Sequence, residues 1–479
     1  VVTAPLSSLA EHGAALSGRA AALPGGEQLT EMRKAWTRQL GFDPLTREGL
    51  LSAGLDPARG AAVALLAGDP RPEWIVALPL TRPDVFLAAI QRLLVERAGF
   101  APVAQQPQAA KVFDRGASGQ KIAVAVVRGY GLIARGADPA ALVAERKPEE
   151  GLARDPGLNA ARQRLGAQDI IVYAPAGSEL PKRYTVRPVP GDVALSLQGS
   201  AQGIAARLLF QLPPADAARA QAALPGGGSR LVELLPGNAP LRARLGVAPG
   251  RLLDLARAQP AVAALLERVK GLDLEKDLFG ALQPGVVLSL GLTKAPHLGQ
   301  AVDYGFDWRR KSPFDTVQLV ALAQVADKAR LLRAMEALAR TLPELGAKAA
   351  RAGDDFDVTY SGGKGARFGV RAIEGGEIAY LMGGPLRPEE LQRTPRGTNP
   401  EAAALYDDQG AAARVDFGKL SDALRVLPEG AYGTGPQSYV ARSLVGQVIE
   451  PLRPVRITVA AQAHPESLEA SIDLEIVAP

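Results

Sequence analysis

An α+β fold of two tandem similar units, each an antiparallel or mixed sheet packed against helices, is what this sequence predicts. Two observations carry the prediction. Segments from the first half of the 479-residue chain return in the same order in the second half. In both halves strand-length apolar runs alternate with amphipathic helical stretches, the pattern of sheets covered by helices.

The first matching segment is Gly54-Leu55-Asp56-Pro57 followed by Ala61 to Leu65, which returns as Gly271-Leu272-Asp273-Leu274 followed by Gly285 to Leu290. Next, Trp74 to Leu78 matches Gln318 to Leu322, and each run leads into a helix. In the first helix Thr81 and Asp84 read as N-cap and N3 acid, with Leu87, Ile90 and Leu94 as the buried stripe. In the second, Asp327 caps and Leu331, Met335, Leu338 and Leu342 form the stripe. Val112 to Gly136 then aligns on Val358 to Met382, and the turns at Arg128-Gly129 and Glu374-Gly375 read as hairpin connections that need positive φ. Pro156 to Ala174 matches Pro400 to Gly418. Each unit closes on a strand pair, Val193 to Leu197 with Ile204 to Leu212 and Val455 to Val459 with Leu468 to Val477. The alternation in Ser471 to Ile476 predicts one buried apolar face and one wet polar face.

These matches divide the chain into an N-terminal helical segment of the first unit (1–47), a first repeat (48–214), a joint (215–229) and a second repeat (230–479). The joint is expected to be flexible because Leu224 to Ser229 is rich in glycine. The offset between copies is 217 residues at Gly54 and Gly271 but 244 at Trp74 and Gln318, so the second copy holds about 27 more residues. They form an insertion at 291–316 that gathers His297, Tyr304, Phe306, Trp308, Arg309, Arg310, Lys311 and Phe314 in a chain with only 5% aromatic residues. Long loops carrying aromatic and basic anchors suit contact with a partner, so these eight residues are the candidate partner-binding site.

Composition narrows the function class. Hydrophobic residues at 47% against 22% charged exclude wholesale disorder, and no apolar stretch reaches the ~18 residues that would cross a bilayer as a helix. A net charge of +5 without Lys/Arg blocks argues against a nucleic-acid partner. The absence of cysteine removes disulfides, thiolate nucleophiles and Cys-based metal sites.

Catalytic and metal motifs fail on inspection. Ser118-Gly119-Gln120-Lys121 and Ser361-Gly362-Gly363-Lys364 have the spacing of a Ser/Lys pair but lie in glycine-rich segments between strands rather than on one helical face. Gly363 to Gly369 lacks the Lys-Ser/Thr of a phosphate loop, and Asp354, Asp355 and Asp357 lack calcium-loop spacing. His12, His297 and His464 are scattered and read as surface residues. No cofactor and no metal are expected.

The order of features from the Gly-Leu-Asp segment to the closing strand pair resembles a bacterial family of internally duplicated extracytoplasmic α+β proteins of unassigned function. The resemblance implies a periplasmic or extracellular-facing location after removal of an N-terminal targeting segment, in keeping with Val1 as first residue. The expected function is therefore a non-enzymatic cell-envelope binding or scaffold protein, its partner another envelope protein or complex. A carrier of lipid or another hydrophobic small molecule is the alternative, and an enzyme with a site assembled from scattered residues ranks third.

Overall fold

The computed structural model describes all residues except 22, 24–25, 67–72, 104–109, 117–118, 136–153, 167, 179–189, 258–271, 293–313, 315–316, 346, 361–362, 392–402, 428–431, 433–435 and 478–479. The chain divides into two units, Val1–Pro213 and Pro214–Pro479, each with helices and antiparallel sheet.

Unit 1 contains β1 (Val2–Pro5), β2 (Gly60–Leu66), β3 (Glu73–Pro79), β4 (Ala101–Pro102), β5 (Lys111–Asp114), β6 (Lys121–Val127), β7 (Tyr130–Arg135), β8 (Ile170–Ala174), β9 (Val193–Gly199) and β10 (Gly203–Gln211). They pair, always antiparallel, in the order β4-β5-β6-β7-β3-β2-β1-β8-β9-β10. The β6–β7 hairpin closes through Arg128 (φ 50) and Gly129 (φ 76), two left-handed residues in succession as a two-residue turn of this twist requires. Helices α1 (Leu6–Ala21), α2 (Glu27–Leu40), α3 (Arg47–Ser52), α4 (Pro83–Arg92) and α5 (Pro156–Leu165) complete the unit.

Contrary to the sequence expectation, α4 starts on Arg82 with Pro83 in its first turn, and the Thr81 hydroxyl donates instead to the carbonyls of Gly54 and Leu55. Proline already lacks the N–H that a cap would serve, so the hydroxyl is free to tie the helix entry to the Gly-Leu-Asp segment. The helix buries Phe86 and Ile90 in a cluster that also holds Ala10 of α1, Leu50 of α3, Leu94 and strand residues Phe113 and Val124. Phe86 lies flat over Gly131, where an added Cβ would meet its ring at 2.3 Å. Gly131→Ala is expected to cost about 1–3 kcal/mol in a urea melt, because the ring has no room to move within the cluster.

Unit 2 contains β11 (Leu241–Leu245), β12 (Val286–Leu292), β13 (Val317–Gln324), β14 (Ala347–Ala352), β15 (Asp355–Tyr360), β16 (Gly363–Ile373), β17 (Gly376–Gly383), β18 (Ala411–Asp416), β19 (Val455–His464) and β20 (Ser467–Ile476). Their order is β14-β15-β16-β17-β13-β12-β11-β18-β19-β20, again antiparallel throughout. Counted from each unit's own first strand, the two orders coincide. Helices α6 (Pro214–Ala223), α7 (Ser229–Val232), α8 (Pro249–Arg257), α9 (Lys328–Thr341), α10 (Ala403–Tyr406), α11 (Phe417–Arg425) and α12 (Pro436–Leu444) belong to this unit. Asp327 caps α9 by accepting the Arg330 N–H at 2.9 Å, as the sequence predicts, and Leu331 and Met335 are buried against Phe356 and Val370.

Two segments differ from expectation. Residues 1–47 are not only helical: β1 sits in the interior of the unit 1 sheet, between β2 and β8. Residues 215–229 are no flexible joint, since most of them form α6 and the rest a packed glycine turn. Gly226, Gly227 and Gly228 have φ of 85, 98 and 86, and an added Cβ would meet the Asp408 carbonyl at 2.0 Å from Gly226 and the Gly285 carbonyl at 2.2 Å from Gly228. Glycine serves here for close backbone approach rather than for freedom.

Candidate functional site

Of the eight candidate residues in the insertion, His297, Tyr304, Phe306, Trp308, Arg309, Arg310 and Lys311 lie outside the described residues. Phe314 is described, and it corrects its own assignment. Its side chain is buried, with its ring 6.2 Å from that of Tyr360 and packed so closely on Gly383 that a Cβ there would meet it at 2.0 Å. Phe314 therefore packs inside unit 2 and is not presented to a partner.

The acidic cluster is neutralised from within unit 2. Asp354 pairs with Lys328 at 3.0 Å, Asp355 accepts the Tyr380 hydroxyl at 2.7 Å, and Arg367 grips Asp357 through Nε and Nη2. Burial, reinforced by the bond to Asp355, pushes the Tyr380 hydroxyl well above its ordinary pKa, so it stays a donor. No group of three or more metal-ligating side chains occurs among the described residues. His12, 39% exposed on α1, is a surface residue with a buried partner: its Nδ1 lies 2.9 Å from both oxygens of Asp169, whose Oδ2 also takes the Gly199 N–H. His464 lies 3.7 Å from Glu469. Ser118 and Ser361 are outside the described residues.

A cavity of about 440 Å³ is lined by the Gly226–Gly228 turn, Arg230, Gln324, Glu377 and Asp408. Its carboxylates are committed: Glu377 holds Lys328 at 2.7 Å, and Asp408 accepts the Ser229 N–H at 3.1 Å. Beneath the turn Arg244 is 0% exposed. Its guanidinium donates to five carbonyls, those of Leu405, Gly227, Gly410, Ala404 and Gln409, at 2.8 to 3.2 Å. Five N–H groups meet five acceptors, which is the full capacity of the side chain. Burial lowers its pKa from the ordinary value, and the charges of Asp407 and Asp408 oppose that shift.

Arg244 introduces the feature that sets the unit 2 sheet apart: its buried side is partly polar and its open side is aliphatic. On the buried side Arg414 donates to Thr458 at 3.2 Å and reaches Glu475 at 3.4 Å, while Asp416 pairs with Arg456 at 3.0 Å and accepts the Lys419 N–H at 3.1 Å. Burial alone would raise the Asp416 pKa, but the Lys419 N–H and the Arg456 charge overcome it and hold the carboxyl below the usual range. Ser289, Val287, Val320 and Leu322 share this buried side.

On the other side two cross-strand rows run across the sheet, one over six strands from β13 to β20 and one over seven from β17 to β20. One joins Leu319, Leu290, Leu241, Val415, Ile457 and Leu474; the other joins Leu381, Ala321, Leu288, Ala243, Ala413, Val459 and Ile472. Every member is aliphatic, and all but Ala243 are half-buried or exposed. At ~4.8 Å per strand the longer row extends roughly 29 Å. The alternation of Ser471 to Ile476 follows the expectation only in part: Ile476 is buried and Asp473 exposed, but Ile472 is 52% exposed. The sheet's own helices bury the β14–β16 end against Leu331 and Met335, and none of the row residues joins a buried cluster among the described residues of unit 2.

Unit 1 has shorter aliphatic runs, and Ile133 of the first packs against the Phe86 and Val124 core. Ile133, Val76 and Val63 form one cross-strand run, and Val172, Leu195 and Leu208 another; all six are half-buried. On the opposite side of β7 to β10, Ala134, Ile171, Ala194 and Leu209 are fully buried.

Hydrophobic periodicity shows which side chains share a face, and these rows could be listed from the sequence. Which face is covered depends on where the helices land, and along β20 the outcome is mixed. No helix among the described residues is long and apolar enough to cross a membrane, which says nothing about strands. Comparison with family models, with curated proteins and with solved structures finds no match to this chain.

Proposed function

We propose that this protein is a non-enzymatic carrier of lipid or a similar long-chain apolar molecule, bound along the open aliphatic rows of its sheets. The observation that carries the reading is the incompletely covered aliphatic face of the unit 2 sheet, on which Leu381, Val459 and Ile472 are exposed. A sheet in water gains about 25 cal/mol for each Å² of apolar surface it covers, so leaving three aliphatic row positions exposed and nine half-buried while covering two arginines is costly unless something apolar occupies the rows.

The composition of the rows favours an acyl chain over a protein. Protein contacts concentrate their energy in Trp, Tyr, Arg and Met, whereas Leu and Val are under-represented there. The unit 2 rows hold only Ala, Val, Leu and Ile. An acyl chain in one bilayer leaflet spans about half of the ~30 Å hydrocarbon core, roughly 15 Å, and fits within a row. The scaffold reading drew on the insertion at 291–316, of which the one described candidate is buried in its own unit.

The coincident strand orders, together with the repeated sequence segments, support reading the two units as copies of one module. Two copies offer two such faces. A carrier of this kind belongs in the cell envelope, where lipids must cross water between membranes.

Native mass spectrometry of gently purified protein tests the proposal. Adducts of lipid mass, and saturable uptake of a fluorescent long-chain fatty acid by the delipidated protein, are the expected results. A protein of bare polypeptide mass that also ignores the fatty acid would remove the reading.

A further inference from the structure

Helix α2 is turned the wrong way round for a helix that serves only its own core. None of its residues is buried. The side chains it half-buries are mostly polar, Thr30, Arg33 and Thr37, with Arg33 held by Asp43 at 2.6 Å. Its large apolar side chains Leu29, Met32 and Trp36 face water, Trp36 at 49% exposure. Spacings of three and four residues set these three on one stripe.

Charge accompanies the stripe. Glu31 is matched by Lys34 at 2.8 Å and Asp43 by Arg33, so the charge left at the C-terminal end of α2 is that of Arg38, Arg92 and Arg97 against Glu96. Arg97 is placed there by donating to the carbonyls of Arg38 and Gln39, the last turn of the helix. Arg92 and Arg97 line a shallow depression with Leu40, Phe42 and Leu93, so apolar and cationic groups alternate around it. The helix packs beside α1, whose Ala10 shares a buried cluster with Val124 and Ile133 of the unit 1 sheet.

We infer that α2 docks unit 1 on an anionic lipid bilayer, with Leu29, Met32 and Trp36 entering the headgroup boundary and Arg38, Arg92 and Arg97 meeting lipid phosphates. Tryptophan with aliphatic neighbours suits that boundary, and basic residues beside it favour anionic headgroups. The inference rests on the carrier reading, because a carrier must meet the membrane that loads or receives its lipid.

The experiment is sedimentation of the full chain with phosphatidylcholine vesicles, with and without phosphatidylglycerol, beside fatty-acid uptake in solution. The parent is expected to bind the anionic vesicles with a blue shift of tryptophan fluorescence. Leu29→Ser/Met32→Ser/Trp36→Ser should lose at least about tenfold in vesicle affinity while keeping fatty-acid uptake. Arg38→Gln/Arg92→Gln should lose about tenfold of the preference for phosphatidylglycerol. Both variants change exposed positions, and an unchanged circular dichroism spectrum certifies the fold.

Vesicle binding by the triple variant equal to that of the parent overturns the inference. So does a parent that ignores both vesicles yet takes up fatty acid, which leaves the carrier reading standing. Stripe-dependent vesicle binding by a protein that takes up no fatty acid sustains the docking and sinks the carrier reading. Self-association removed by the triple substitution, without vesicle binding, assigns the stripe to a second copy of the chain and overturns docking.

Discussion

Replacing Arg244 by Met is expected to lower the stability of unit 2 by about 3–5 kcal/mol, seen as a fall in the urea midpoint. Exchanging a buried ion for an apolar residue is often harmless when its counter-ion leaves with it. Here it cannot be, because the acceptors are backbone carbonyls of Gly227, Ala404, Leu405, Gln409 and Gly410, which no side-chain substitution removes. Each carbonyl left buried without a partner costs about 1–3 kcal/mol, reduced where water enters. The arginine also ties the glycine turn to the stretch from α10 to β18, so its loss frees two loops at once. Arg244→Lys separates charge from geometry: it keeps the cation but offers three donors for five acceptors, and an intermediate loss is expected. A midpoint unchanged in the Met variant would show that the five bonds are dispensable.

Arg244 also marks where the sequence stops being legible. Strands β3, β13, β19 and β20 follow apolar periodicity, the hairpins at Arg128-Gly129 and Glu374-Gly375 follow from the positive φ that glycine supplies, and the cap of α9 follows from Asp327. These are local signals read within a few residues. Strand β11 is different: Leu-Arg-Ala-Arg-Leu alternates as though its arginines were wet, yet Arg244 is enclosed by carbonyls from 160 to 166 positions away, together with Gly227. Strand β1 is four residues long and gains its place only by pairing with β2 and β8. The glycine run at 226–228 looks flexible because close packing and freedom both call for glycine, and only the neighbours Asp408 and Gly285 distinguish them.

The same limit governed the site. Alternation assigned Ile472 and Leu474 to one face and Asp473 and Glu475 to the other, correctly. It carried no information on which face α6 and α11 would cover. Both contact β19, and the aliphatic face ends up divided, with Val455 and Ile476 buried and Val459 and Ile472 exposed. The insertion drew attention because rare residue types cluster there, whereas the aliphatic rows are made of common residues spread over seven strands. A functional face built from Ala, Val and Leu has no motif.

Those rows set the second large effect. Leu288→Asp/Val459→Asp is expected to abolish long-chain fatty-acid binding by unit 2, a loss of more than about a hundredfold. The two positions lie in one cross-strand row, three strands apart, about 14 Å at the usual strand spacing. An acyl chain of roughly 15 Å lying along the row meets at least one of them. A carboxylate under the chain must give up its water without gaining a partner, which costs several kcal/mol, or take up a proton. Binding should accordingly recover in part as the pH falls toward the carboxyl pKa, a response that simple unfolding would not give. Leu288→Ala/Val459→Ala trims the same positions without charge and should weaken binding less, by about ten- to sixtyfold, since each lost CH₂ is worth ~0.8 kcal/mol where the chain covers it. The binding that remains belongs to unit 1, and adding Val76→Asp/Leu195→Asp in its equivalent runs should remove it. A folded Leu288→Asp/Val459→Asp protein that binds as many probe molecules as the parent, with equal affinity, would place the ligand elsewhere and leave the open aliphatic face without an occupant.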